Sequence, residues 1–246
     1  MILFVFEGEK REPTLFETIR KLYSFDETVF YFTYNTSFHK LYKELKQHDM
    51  SLFRVLQDEA RKRGDDVFGT YTEIDFSEIY LFFDYDFHNQ HVSLDMWNKE
   101  LRDMLEYFNE ETGNGKMYVN YPMIESIRYT KELPDSNYKD YTIKRSDCCN
   151  FKKIASDFSF YRGLDFILLS EYSTREEVKK NWELLKRQNV SKANYLCNGA
   201  YAYPSKKILF SQENILETQI EKFVEGNVCS VAILNALPLF IYDYYK

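Results

Sequence analysis

Residues 1–16 read MILFVFEGEKREPTLF, and within them Ile2–Phe6 is apolar without alternation. A strand buried on both faces of a parallel sheet reads this way, whereas a half-buried strand alternates apolar and polar residues. The run stops at Glu7-Gly8-Glu9. In open α/β sheets ligands gather outside the carboxyl ends of the strands, so an acid just past the last apolar residue marks Glu7 as a candidate site residue. The arrangement recurs downstream, where Ile79–Phe83 is a second unbroken apolar run that ends at Asp84-Tyr85-Asp86.

Outward from these two runs, helical and extended patterns alternate. Pro13 suits the first turn of a helix, and Leu15, Phe16, Ile19 and Leu22 recur at helical spacing, which predicts a helix over 13–23. A strand is expected at 28–34, then one long helix or two short ones from the N-cap Ser37 to Gly64. A helix over 93–111 places Leu94, Trp97, Leu101, Leu105 and Phe108 on one face, and GNGK at 113–116 turns into a fourth strand within MYVNYPMIES, residues 117–126. This order predicts an α/β fold with a mostly parallel central sheet flanked by helices. Past Tyr129 the chain is polar and lacks a strong strand. Helices are expected there at 173–189, 211–225 and 228–244, giving a catalytic α/β domain over 1–130 and a mainly helical region over 131–246 that packs on it or extends it.

Composition narrows the function classes. The chain has 246 residues, 44% of them hydrophobic, enough for a sizeable core, and most of its 21 Tyr and 21 Phe read as core aromatics. A net charge of −7 argues against a protein that coats nucleic acid by bulk charge. It leaves room for local contact through bound cations and a few Lys and Arg residues. The run IKRSDCCNFKK at 143–153 holds Lys144, Arg145, Lys152 and Lys153 as candidates for a nucleic-acid backbone, with a solvated helix end as an equal alternative. Four cysteines without a CxxC pair indicate neither a disulfide framework nor a zinc site, which fits a reduced cytoplasm. No leader pattern is present, and the apolar stretch 228–242, interrupted by Asn235 and Pro238, falls short of the ~20 residues that span a bilayer, so no membrane association is expected. Neither GxxxxGK[ST] nor GxSxG occurs, which removes a P-loop ATPase and a serine hydrolase.

Carboxylates therefore carry the chemistry. Alternate residues of an extended segment face one side, so Asp84 and Asp86 are expected to aim together at a cation, with Tyr85 turned away and Glu7 arriving from a neighbouring strand. Crowded carboxylates repel unless a cation or basic partner joins them, and hard divalent cations such as Mg2+ favour such oxygen ligands. His88 and His91, which follow closely, read as solvated polar sequence.

Three stretches, ILFVFEGEKREPTLF (2–16), LFFDYDFHN (81–89) and NYPMIESIR (120–128), carry a resemblance. They are similar to motifs of TOPRIM-fold nucleases, most closely the RloB-like proteins, in the wider group that includes OLD-family nucleases and AriB-type effectors of PARIS phage-defence systems. The resemblance implies a TOPRIM-like sheet and a Mg2+- or Mn2+-dependent endonuclease that hydrolyses DNA or RNA, tRNA included. Glu7 would act as base or metal ligand, Asp84 and Asp86 as metal ligands, Lys10 as a phosphate contact, and Glu125, from an Asn-Pro-x-x-Glu segment, as a further acid. Tyr121 stands inserted between Asn120 and Pro122 of that segment. Also implied are a toxic antiphage effector, control by a separate ABC- or AAA-type ATPase, and room for a homodimer. Two alternatives stay open: Glu125 as scaffold, and a non-catalytic module that docks on an ATPase or binds nucleotide.

Overall fold

The computed structural model describes residues 1–89 and 92–245. Its chain forms two compact units, one of Met1–Pro13, Ser24–Phe83 and Gln90–Met117, the other of Thr14–Tyr23, Asp84–Asn89 and Tyr118–Lys246. His91 lies outside the described residues.

The fold is α/β. A five-stranded, mostly parallel sheet has the spatial order β2 (Val29–Thr33), β1 (Ile2–Phe6), β3 (Glu78–Asp84), β5 (Gly115–Asn120) and β4 (Asn109–Glu110). β1 runs parallel to both neighbours, with Phe6 opposite Thr33 on one side and Phe82 on the other, while β4 and β5 pair antiparallel. The unbroken apolar runs have the reason expected: every residue of β1 and Ile79–Phe83 of β3 are buried. Phe4 stacks on Tyr80 and Phe82, and Phe30, Phe53, Phe68 and Phe76 form a second aromatic cluster. At Gly115, φ is +112° and a Cβ would stand 2.9 Å from Leu81 Cδ1, so glycine alone begins β5 without strain.

Helices follow near where the periodicity places them, although the one expected over 93–111 ends at Tyr107, because Asn109–Glu110 pairs as strand β4. α1 spans Arg11–Leu22, and the stretch after Ser37 resolves into two helices, α2 (Phe38–Gln47) and α3 (Leu52–Lys62). Asp49 and Met50, both at positive φ, break them apart. α4 spans Leu94–Tyr107, capped by Ser93, whose hydroxyl accepts from Met96 N–H. α2 is tied to α4 by His39 with Glu100 and by Tyr42 OH donating to Asp103.

The second unit is mainly helical. α5 (Phe151–Phe158) precedes the long α6 (Arg175–Asn198), on which α7 (Gln212–Gln219) and α8 (Ala236–Tyr244) pack. Three expectations are corrected here. The fourth strand ends at Asn120 and the chain turns through a cis Tyr121–Pro122 bond into a 3-10 helix, Ile124–Arg128, so the segment to Ser126 is not extended. The helix expected over 228–244 begins only at Ala236, because Ser230–Ala232 is a strand, β7, paired antiparallel with β6 (Thr142–Lys144). The helix expected to stop at 189 runs on to Asn198. Among the described residues no helix is long and apolar enough to cross a membrane.

Candidate functional site

Glu7 leaves β1 at its carboxyl end and remains held by the sheet. Its N–H donates to the Phe82 carbonyl (3.1 Å), and its carbonyl accepts from Asn35 N–H (2.8 Å). A Cβ at Gly8 would fall 2.6 Å from a carboxylate oxygen of Glu12. Glycine at that position lets the buried Glu12 side chain lie against the backbone of the EGE turn. Sequence reasoning missed Glu12. An acid in the first turn of a helix, as here in α1, ordinarily reads as a complement to the helix dipole, and no sequence signal distinguished it. The Glu9 carboxylate accepts from Asn35 Nδ2, and Lys10 is exposed.

In the second unit, Asp84 closes β3 with its side chain half-buried. Its Oδ1 accepts from Asn120 Nδ2 (3.0 Å), while Asn120 Oδ1 accepts from Ala236 N–H (2.9 Å). The fully buried Asn120 thus fixes Asp84 to the start of α8. Tyr85 is buried and packs on Tyr121 and Phe87. The extended alternation ends there. Asp86 adopts a left-handed backbone, φ +48°, and its N–H donates to the Pro122 carbonyl (3.2 Å). Asp86 therefore reaches its position through a turn held by the Pro122 carbonyl, and not as the third residue of a straight DxD strand.

Around Asp86 the structure brings together several predicted residues. Burial raises its carboxyl above the usual range, His88 and Lys152 draw it back down, and Glu125 pushes it up. Glu125 itself is 2% exposed on the 3-10 helix, with Oε1 3.8 Å from Lys152 Nζ. Arg128 donates to the Lys152 carbonyl (3.0 Å). Beneath them Asn235 Nδ2 donates to the Ile124 carbonyl and to Ser126 Oγ, which pins both residues beside Glu125.

The four residues of the basic run have different surroundings. Arg145 donates through Nε to the Phe87 carbonyl (3.0 Å) and through Nη2 to the Asn89 carbonyl (2.9 Å), so it braces the loop after the aspartates. Lys153 pairs with Asp157 one helical turn on, at 2.5 Å, and Lys144 is exposed at the end of β6. Lys152, whose ammonium lies 3.8 Å from Glu125 Oε1, has a largely exposed side chain. Among the described residues, no three His, Cys, Asp or Glu side chains are gathered as a group able to hold a metal ion.

Comparison of the chain with models of protein families, with curated proteins and with solved structures finds no match.

Proposed function

We propose that the chain is a Mg2+- or Mn2+-dependent nuclease of TOPRIM type, acting on DNA or RNA as a toxic effector under the control of a partner ATPase. One observation carries this reading. β1 and β3 are hydrogen-bonded parallel neighbours in register, and the first residue past β1 and the last residue of β3 are the acids Glu7 and Asp84. Glu7, Asp84 and Asp86 would hold the ion, since carboxylate oxygens suit a hard divalent cation. When bound, such an ion polarises a phosphate and makes a bound water nucleophilic. The chain's own residues do the rest. Asn120 holds the Asp84 carboxylate in one orientation, Arg145 fixes the loop after Asp86, and Lys10 offers a cation to a phosphate.

A second reading, a binding module without cleavage, is favoured by Lys152. Its ammonium lies near Glu125 and lowers Asp86, so the chain supplies part of the compensating charge itself. Incubating the pure chain with Mg2+ or Mn2+ and DNA, total RNA or tRNA separates the two. Cleavage that disappears in Glu7→Ala and Asp84→Ala, with melting temperatures kept, supports the nuclease. Intact substrates throughout, or full cleavage by folded Asp84→Ala, would sink it.

A further inference from the structure

The second unit holds a cavity of about 280 Å³ that no role described above uses. It is built from the loop between α5 and α6 and from the first turn of α6. Tyr161 and Phe166 form one wall, stacked with ring centroids 4.1 Å apart and planes within 16° of each other. Tyr172 lines the mouth and is 91% exposed, and Phe160, next to the stack, is 81% exposed. Large aromatic rings left this open are unusual for a residue type whose burial contributes so much to stability. The polar lining is Arg162, Asp165 and Glu177, with Ser173 between. Trp182, whose indole N–H donates to the Ile167 carbonyl (2.9 Å), anchors the floor of this loop on α6.

The geometry points to a pocket for an unpaired purine base, guanine above the others. Flat rings at a pocket wall and mouth offer π-faces on which a base stacks, as single-stranded nucleic acid does on protein aromatics. The two carboxylates accept hydrogen bonds only. Among the bases guanine alone presents two adjacent donors, N1–H and the N2 amino group, that one carboxylate can accept side by side. Arg162 matches the phosphate that accompanies the base and works against a cationic occupant, which three rings and two acids would otherwise suit. The inference deepens the nuclease reading by supplying a place for an extruded or single-stranded base of the substrate, and it rests on that reading for its purpose.

The test needs no cleavage. The full chain is titrated, without divalent metal, with guanosine, adenosine, cytidine and uridine 5′-monophosphates, and binding is followed by calorimetry and by chemical shifts of the loop. Saturable binding is expected, tightest for the guanosine nucleotide. Tyr172→Ala, at an exposed position, weakens it by about tenfold, the scale of one lost stacking partner. The double variant Asp165→Asn/Glu177→Gln removes the preference for guanosine over adenosine while leaving the stacking contribution. Absence of saturation with every nucleotide, equal affinity for all four, unchanged affinity in both variants, or preferential binding of a trimethyl-lysine peptide would each overturn the pocket. Absence of base binding by the unaltered chain with metal-dependent cleavage present rejects the pocket alone, whereas base binding without cleavage rejects the nuclease alone.

Discussion

At the scale of single residues, Asp86 shows how position changes chemistry. Its left-handed backbone and burial place a carboxylate where charge is disfavoured, and His88 and Lys152 offset this in part. Since its folded-state pKa is raised above the unfolded value, protonated Asp86 costs nothing, and the protein loses stability as pH rises through the carboxylate range. Asp86→Asn is therefore expected to raise the melting temperature at pH 7 by roughly 3 °C and to leave it unchanged near pH 3. Scanning calorimetry of both proteins at the two pH values checks this, and a lower melting temperature at pH 7 would contradict it. A stabilising substitution that also removes activity is the pattern expected where function keeps a disfavoured group in place.

At the scale of elements, the polar face of α6 and the turn before α8 depend on one another. Residues 188–194 of α6, QNVSKAN, are all buried. Several of their polar groups are hydrogen-bonded: Gln188 accepts from Asp135 N–H, Asn189 accepts from both Tyr138 OH and Asn235 N–H, and Asn194 donates to the Ala202 carbonyl, while Gln188 Nε2 is buried without a partner among the described residues. Most buried polar groups are satisfied in this way, because an unpaired one costs its desolvation. Asn235 is a junction of this network, since it caps α8 by accepting from Leu237 N–H and donates to Ile124 and Ser126. Asn235→Ala removes the cap and leaves a buried carbonyl without its donor, with an expected cost of about 3 kcal/mol. Urea denaturation measures it; a loss under about 1 kcal/mol, the size of a cap alone, would mean that the 124–126 segment does not depend on Asn235.

At the scale of the whole molecule, buried titratable groups shape the pH dependence of stability. Lys192 is fully buried on α6, and its Nζ donates to the carbonyls of Tyr138 (3.0 Å) and Tyr141 (2.6 Å), with the Asp140 charge favouring its protonated form. Desolvation lowers its pKa to about 7. Between that value and its ordinary range the unfolded chain binds a proton that the folded chain does not, so stability rises with pH across this window and is flat below it. Burial raises Cys148 to about 12 and Cys197 to about 11 and raises the buried Tyr138 as well. These acids ionise first in the unfolded chain, so above about pH 9 they work in the opposite direction. Urea midpoints are thus expected to climb from pH 7 to about pH 9, and Lys192→Met is expected to flatten the climb while lowering stability overall, because the Tyr138 and Tyr141 carbonyls lose their shared donor. Parallel pH profiles for the two proteins would refute the assignment.

What the sequence determined by itself was the sheet and its acidic ends. Ile2–Phe6 and Ile79–Phe83 read as strands buried on both faces by their length and lack of alternation, and an apolar run of that kind stops where burial lessens, so the positions of Glu7 and Asp84 were legible from pattern. The helices near Pro13 and Ser93 were legible for the same reason, since caps and helical spacing are local, whereas the stretch after Ser37 read equally as one helix or two until the left-handed Asp49 and Met50 divided it. Only the tertiary structure decided the rest. Polar residues 188–194 read as surface until their partners on distant segments were in place, so the true end of α6 was hidden. β6 and β7, three residues each, exist through pairing across 85 positions or more and carry too little local pattern to show. Arg145 looked like a nucleic-acid contact because its charge is visible in sequence, whereas the Phe87 and Asn89 carbonyls that it braces are backbone groups that any residue carries. Glu12 and Asp86 depend most on the fold: what sets their environment is the closeness of Gly8 in one case and of Glu125 and Lys152 in the other, and such closeness arises only when the chain has folded.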